Sequence, residues 1–124
     1  MRYVYGIAFL GDEFIMVRNL RRGGWEMPGG KVEEGESDLQ AMEREFLEEV
    51  GHHFIVASST DVDGVSVFAG RMGAREGKGE MAWQGFRELP AELSFPLVEY
   101  RPLVAWARKE ILSHGVRANG PAPA

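Results

Sequence analysis

Between Arg44 and Gly51 the chain reads REFLEEVG, which sets Glu45, Glu48 and Glu49 within little more than one helical turn. Glu45 and Glu49 stand four residues apart, a spacing at which like charges destabilise a helix by about 0.2–0.5 kcal/mol. Their place toward a helix C-terminus adds to the cost, because the dipole there also disfavours negative charge. Arg44 neutralises only part of the cluster. Two readings remain: a plain solvated acidic face, or a cation site in which a divalent ion relieves the repulsion. Oxygen-only donors favour a hard ion, Mg²⁺ or Mn²⁺, and such ions commonly engage substrate phosphates as well. The chain has no cysteine, which removes disulfides, Cys-bound zinc and a Cys nucleophile together. His52 and His53 are adjacent and His114 is remote, so no zinc-ligand spacing is formed.

The elements that must hold these carboxylates are legible around them. Ser37 followed by Gln40 is a capping-box signature and Gly51 suits a helix end, which predicts a helix over 38–50. At 100° per residue Leu39, Met42, Phe46 and Val50 make its apolar face, with the three glutamates on an adjacent face. Residues 20–36 carry five glycines and Pro28 and read as loop with short extended pieces. Pro28-Gly29-Gly30 permits a tight backbone path beside an ion or phosphate. Residues 2–10 and 13–19, joined by Gly11-Asp12, read as an antiparallel hairpin. Strands are predicted over 53–60, 64–71 and 80–87, with a turn at Asp63-Gly64 and a mobile loop over 73–79. The strand aromatics Phe68 and Trp83 offer stacking surfaces but are expected in the core. A second helix is expected from 98 or 102 to 113, with Leu103, Ala107 and Ile111 inward, Pro102 in its first turn and Gly115 after it.

With 124 residues the chain has room for one core. It is read as a single domain over 1–115 with a disordered tail over 116–124. Residues 30–52 hold seven Glu and one Asp against Lys31 and Arg44, a local charge of −6 within a total of −5. Acidity is thus one local feature, and no basic stripe suited to polymeric nucleic acid is present. Apolar runs fall short of the roughly 20 residues that span a bilayer. MRYVYGIAFL reads as a strand rather than a signal peptide, so a soluble, cytoplasmic protein without a membrane partner is expected.

Loop and helix together resemble the Nudix box: G, five residues, E, seven residues, R-E-U, one residue, E-E, one residue, G-U, where U is bulky and apolar. The chain supplies Gly30, Glu36, Arg44-Glu45-Phe46, Glu48-Glu49 and Gly51, and departs only at His52, a change expected to touch packing rather than chemistry. The resemblance implies an α+β fold, the Nudix α/β/α sandwich with a mixed β-sheet between helices. It also implies an enzyme that hydrolyses nucleoside diphosphates linked to another group, with a divalent ion as cofactor. By that likeness Glu45, Glu48 and Glu49 are metal ligands, one of them assisting water deprotonation, and the Gly29 carbonyl adds a ligand. Arg44 orients the carboxylates, Glu36 steadies the loop–helix junction through Arg44, and Glu76 or Glu80 serves as a further ligand or base. A homodimer is compatible with the family.

WEMPGGKVEEGES and FRELPAEL look most like the MutT-type branch, which cleaves nucleoside triphosphates to monophosphate and pyrophosphate and often takes oxidised guanine nucleotides. Arg18 and Glu26 fall where that branch contacts nucleotide. The segment AELSFPLVEY lacks the Asn that such enzymes use for purines, which leaves base selectivity open. Hydrolysis of ADP-ribose or dinucleoside polyphosphates, and a non-catalytic nucleotide-binding Nudix module, stand as alternatives. The module reading fits less well, because such modules usually lose box carboxylates and this chain keeps them all.

Overall fold

The computed structural model describes residues 1–119, with side chains to Ser113. In chain order the elements are β1 (Tyr3–Leu10), β2 (Glu13–Asn19), β3 (Gly24–Glu26), β4 (Gly29–Lys31), α1 (Asp38–Val50), β5 (His52–Val62), β6 (Val65–Arg75), β7 (Trp83–Phe86) and α2 (Leu97–Asn119). The strands form one mixed sheet in the order β3-β2-β1-β6-β5, with β4 also on β1 and β7 also on β2. β1 runs antiparallel to β2 but parallel to β6.

Alternation along the central strands builds two cores. Val4 and Ala8 of β1 with Ile15 and Val17 of β2 face α1, packing on Ala41, Met42, Phe46 and Val50. Ile7 and Phe9 with Phe14 and Met16 face the other way, onto Tyr100, Val104, Ala107 and Ile111 of α2. Because side chains alternate with period two, a strand between two helices must be apolar at every position, which is why these segments read as continuous runs.

Helix α1 occupies the predicted residues. Ser37 Oγ accepts from the Gln40 amide at 3.1 Å and Gln40 Oε1 accepts from the Ser37 amide at 2.9 Å. Gly51 ends the helix at φ 82°, a left-handed conformation open to glycine, and donates to the Leu47 carbonyl. The inward face differs from expectation: Leu39 is 42% exposed and Ala41 is buried in its place. In the first turn the sheet is met by Ala41 and Met42, from whose bisector Leu39 diverges by roughly 110°. Burial of Ala41 also widens the inward arc so that Glu45 and Glu49 project inside it.

Three further expectations are corrected. β6 continues through Gly73 to Arg75, paired with β5 as far as His52, so the loop shifts to 76–82. α2 begins at Leu97 and runs past Gly115 to Asn119, so 116–119 of the predicted tail are helical backbone, while 120–124 lie outside the described residues. Pro102 therefore sits inside the helix rather than in its first turn. It withholds an amide from the carbonyl of Val98, a residue 75% exposed, where water can replace the missing donor. No described helix is long and apolar enough to cross a membrane.

Candidate active site

The box carboxylates meet the glycine loop where β4 passes α1. Two hydrogen-bonded β1 residues hold that loop in place: the Gly6 amide donates to the Pro28 carbonyl at 2.9 Å, and Tyr5 pairs with Gly29. Close approach then requires glycine. A Cβ on Gly29 would lie 2.1 Å from the Val4 carbonyl oxygen, and one on Gly30 would lie 2.4 Å from a Glu45 carboxylate oxygen. The Gly29 amide donates to Glu49 Oε1 at 3.0 Å, which ties the loop to the carboxylate cluster.

Arg44 is the hub. Its Nε and Nη2 donate to the two oxygens of Glu36 at 2.6 and 3.0 Å, and Nη2 also donates to the Lys31 carbonyl at 3.1 Å. Its Nη1 reaches Glu45 at 3.2 Å and Glu48 at 3.3 Å. A planar fork can serve carboxylates on both sides in this way, where a lysine could not. The Arg44 hydrogen bonds hold the Glu36 carboxyl below its ordinary range, and the Glu33 amide adds to the effect.

The cluster's charge is undercompensated where burial is deepest. Desolvation pushes the Glu49 carboxyl up to about 8, against the opposing Gly29 N–H, and repulsion from Glu45, Glu26 and Glu48 adds to the rise. Desolvation raises Glu45 too, although Arg44 opposes it. Glu48 is outermost, with 45% of its side chain exposed. A hard divalent cation fits this donor set, because it would supply the charge that one shared arginine does not. Among the described residues no three His, Asp or Glu side chains already stand together as metal ligands. The glutamates are turned to Arg44 and Gly29 instead, so coordination requires their rotamers to change.

A pH dependence follows. The folded-state value of Glu49 lies above the ordinary 4.5, so between about pH 4.5 and 8 the folded protein keeps a proton that the unfolded chain has lost. This group's stabilising contribution is complete below that window and is lost as pH rises through it. In excess chelator the melting temperature is expected to fall from about pH 5 to pH 8.5, by roughly 3–6 °C for each kcal/mol lost. Glu49→Gln should flatten that slope, as read by thermal melts at several pH values; an unchanged slope would count against burial of this carboxylate.

A cavity of about 140 Å³ lies between sheet and α2, lined by Tyr5, Glu26, Met27, Phe95, Glu99, Tyr100 and Leu103. Repulsion from Glu26 reaches Glu49, and both act on Tyr5: its hydroxyl is raised by burial first and then by Glu26, with Glu49 contributing. Glu26 itself is held low despite desolvation, because Arg22, Ser94 and Asn19 stabilise its charge. Arg22 donates to both of its oxygens, at 2.8 and 3.0 Å. Burial pushes the Tyr100 hydroxyl up to about 12.

The remaining predicted residues divide. Glu26 lines the cavity but Arg18 does not: it lies over the Trp25 ring at 5.5 Å and pairs with Glu92 at 3.2 Å. Glu76 faces His53 at 3.1 Å rather than the box. Glu80 is joined to the box helix through its backbone, its amide donating to the Glu48 carbonyl at 2.8 Å, while its side chain is exposed. His52 is a packing residue, its Nδ1 on the Gly73 carbonyl at 3.0 Å and its ring against Trp83. Phe68 is core, but Trp83 is 37% exposed. The sequence reading missed Tyr5, Phe95, Glu99 and Tyr100. AELSFPLVEY carried the signal, an aromatic and acidic segment at a helix start that was judged only by the Asn it lacks.

Comparison with known proteins agrees with this fold. The NUDIX domain profile matches residues 2–88. A human (Homo sapiens) 8-oxo-dGDP phosphatase is 38% identical over 56 residues, 41% of this chain and 17% of its own. The curated relatives it matches are longer proteins, and the matched stretches span 28% or less of their lengths. Among solved structures a UDP-X diphosphatase superposes with TM-score 0.72 at 19% identity, over 88% of this chain and 63% of that one. A MutT, from work on the enzymes of Aliivibrio salmonicida and Vibrio cholerae, is 30% identical with TM-score 0.53, over 86% of this chain and 97% of that one.

Proposed function

The chain belongs to the NUDIX domain family, and from that premise we propose that it is a Mg²⁺- or Mn²⁺-dependent pyrophosphohydrolase of nucleoside triphosphates. The products are a nucleoside monophosphate and pyrophosphate. One observation carries the reading: Glu49 interacts electrostatically with Tyr5 and Glu26, which line the cavity that also holds Phe95 and Tyr100, so a base seated there would have its phosphates directed toward the carboxylate cluster. Likeness to a MutT over nearly its whole length supports the same substrate class.

Glu45, Glu48 and Glu49 would hold the ion, and Arg44 keeps Glu45 and Glu48 oriented from the side that Glu36 anchors. A divalent ion held there would supply charge to offset that of the phosphates and would acidify water. Glu49, the carboxylate that burial raises most, would be the group placed to accept a proton from water at the site. Tyr5, Phe95 and Tyr100 offer the base apolar and aromatic surface. Glu26 and Glu99 accept hydrogen bonds but cannot donate them while ionised. That polarity favours a base edge rich in N–H groups, as in guanine, and oxidation at C8 adds an N–H at N7.

The test is release of pyrophosphate from 8-oxo-dGTP beside dGTP, with Mg²⁺ and with excess chelator. Metal-dependent pyrophosphate from both, faster from the oxidised base, is the expected result. Release of inorganic phosphate alone, or none from either nucleotide, would overturn the triphosphate reading and turn the search to ADP-ribose and dinucleoside polyphosphates.

A further inference from the structure

A second cleft, of about 430 Å³, opens at the C-terminal end of α1. Its floor is apolar, from Val50, Met81 and Ala82, and its walls carry His52, Arg75, Lys78 and Trp83. Its size falls within the roughly 300–1,000 Å³ of small-molecule sites.

The chemistry of the lining is specific. Arg75 and Lys78 form no ion pair among the described residues, and Arg75 Nε donates to the Gly77 carbonyl at 3.2 Å. Two cations left without carboxylates, in a chain of net charge −5, provide a local seat for an anion. Trp83 stands on β7 with its ring edge-on to His52, centroids 5.6 Å apart at 79°. That contact leaves the indole 37% exposed. Cations beside an accessible indole and an apolar floor match a ligand that carries both phosphate and a flat ring.

The cleft is also tied to the box helix. The Glu80 amide donates to the Glu48 carbonyl at 2.8 Å and the Met81 amide to the Glu49 carbonyl at 3.0 Å. Packing along this seam is close: a Cβ on Gly79 would lie 2.3 Å from the Glu49 carbonyl oxygen. The loop that carries Lys78 is therefore held in place by the helix rather than hanging free.

We propose that this cleft is a second nucleotide site, which binds a nucleoside monophosphate unit with its phosphate on Arg75 and Lys78 and its base against Trp83. It needs no metal and does not depend on the pyrophosphohydrolase reading. The experiment is an NMR titration of the Trp83 indole N–H in excess chelator, with AMP, adenosine and inorganic phosphate as probes. Saturable shifts with AMP, at a Kd at least tenfold below those of adenosine and phosphate, are expected. The double variant Arg75→Ala/Lys78→Ala should raise the AMP Kd at least tenfold. No saturable shift in the unaltered protein overturns the proposal, as does an unchanged Kd in the variant. Phosphate binding as tightly as AMP would reduce the cleft to an anion site and overturn the assignment of the base.

Discussion

Glu49→Gln is expected to lower kcat by roughly 10²–10⁴, the usual scale for loss of a group that transfers a proton in the transition state. The side chain keeps its shape, and its carbonyl can still accept the Gly29 amide that Glu49 accepts at 3.0 Å. The fold should therefore survive. The charge does not: the most deeply desolvated of the three carboxylates becomes neutral, which removes both an ion ligand and a proton acceptor. Glu48→Gln, at the exposed rim, should also reduce kcat, by less if Glu48 only holds the ion. Steady-state kinetics with dGTP and a Mg²⁺ titration separate the two roles. A ligand lost alone is partly restored by excess Mg²⁺, whereas a lost proton acceptor is not. Near-normal turnover in both variants would remove the carboxylates from the mechanism.

Arg44→Ala is expected to cost roughly 10–100-fold in kcat, the range seen when a residue that orients metal ligands is removed. Arg44 contacts Glu36, Glu45 and Glu48 at once, and without it three carboxylates lose their common partner. Two effects on ion affinity oppose each other. Disorder of the ligands weakens binding, while removal of a positive charge beside the ion strengthens it, a Coulomb effect on the order of 1 kcal/mol for charges several ångströms apart in high dielectric. The loss should accordingly appear in kcat more than in the Mg²⁺ concentration for half-activity. Arg44→Lys keeps the charge but cannot pair with both oxygens of Glu36. A variant as impaired as Arg44→Ala would place the value of Arg44 in its fork; full activity would place it in charge alone.

Local determinants were read correctly because they act within a few residues. The capping box at Ser37 and Gln40, the turn at Asp63-Gly64 and the left-handed cap at Gly51 each depend on a short stretch of chain. The box residues were placed by spacing alone, and their gathering at the β4–α1 junction needed only that α1 be helical. Leu39 shows the limit: periodicity ranked it with Met42 and Phe46, but the angle at which α1 meets the sheet decides which neighbour is covered. The end of β6 is a second case, since Gly73 reads as loop until β5 supplies a partner strand.

What the sequence determined by itself was the sheet hairpin, the box helix, its acidity and the family chemistry that such spacing brings to mind. Only the tertiary structure decided how those charges are valued. Glu49 and Glu48 are adjacent and chemically identical, yet one is sunk against Gly29 and the other stands at the rim. In the same way Glu26 and Glu99, far apart in the chain, came to line one cavity, while Arg18 and Trp83 went elsewhere. Desolvation is a property of everything packed around a group, and a linear pattern records only its nearest neighbours.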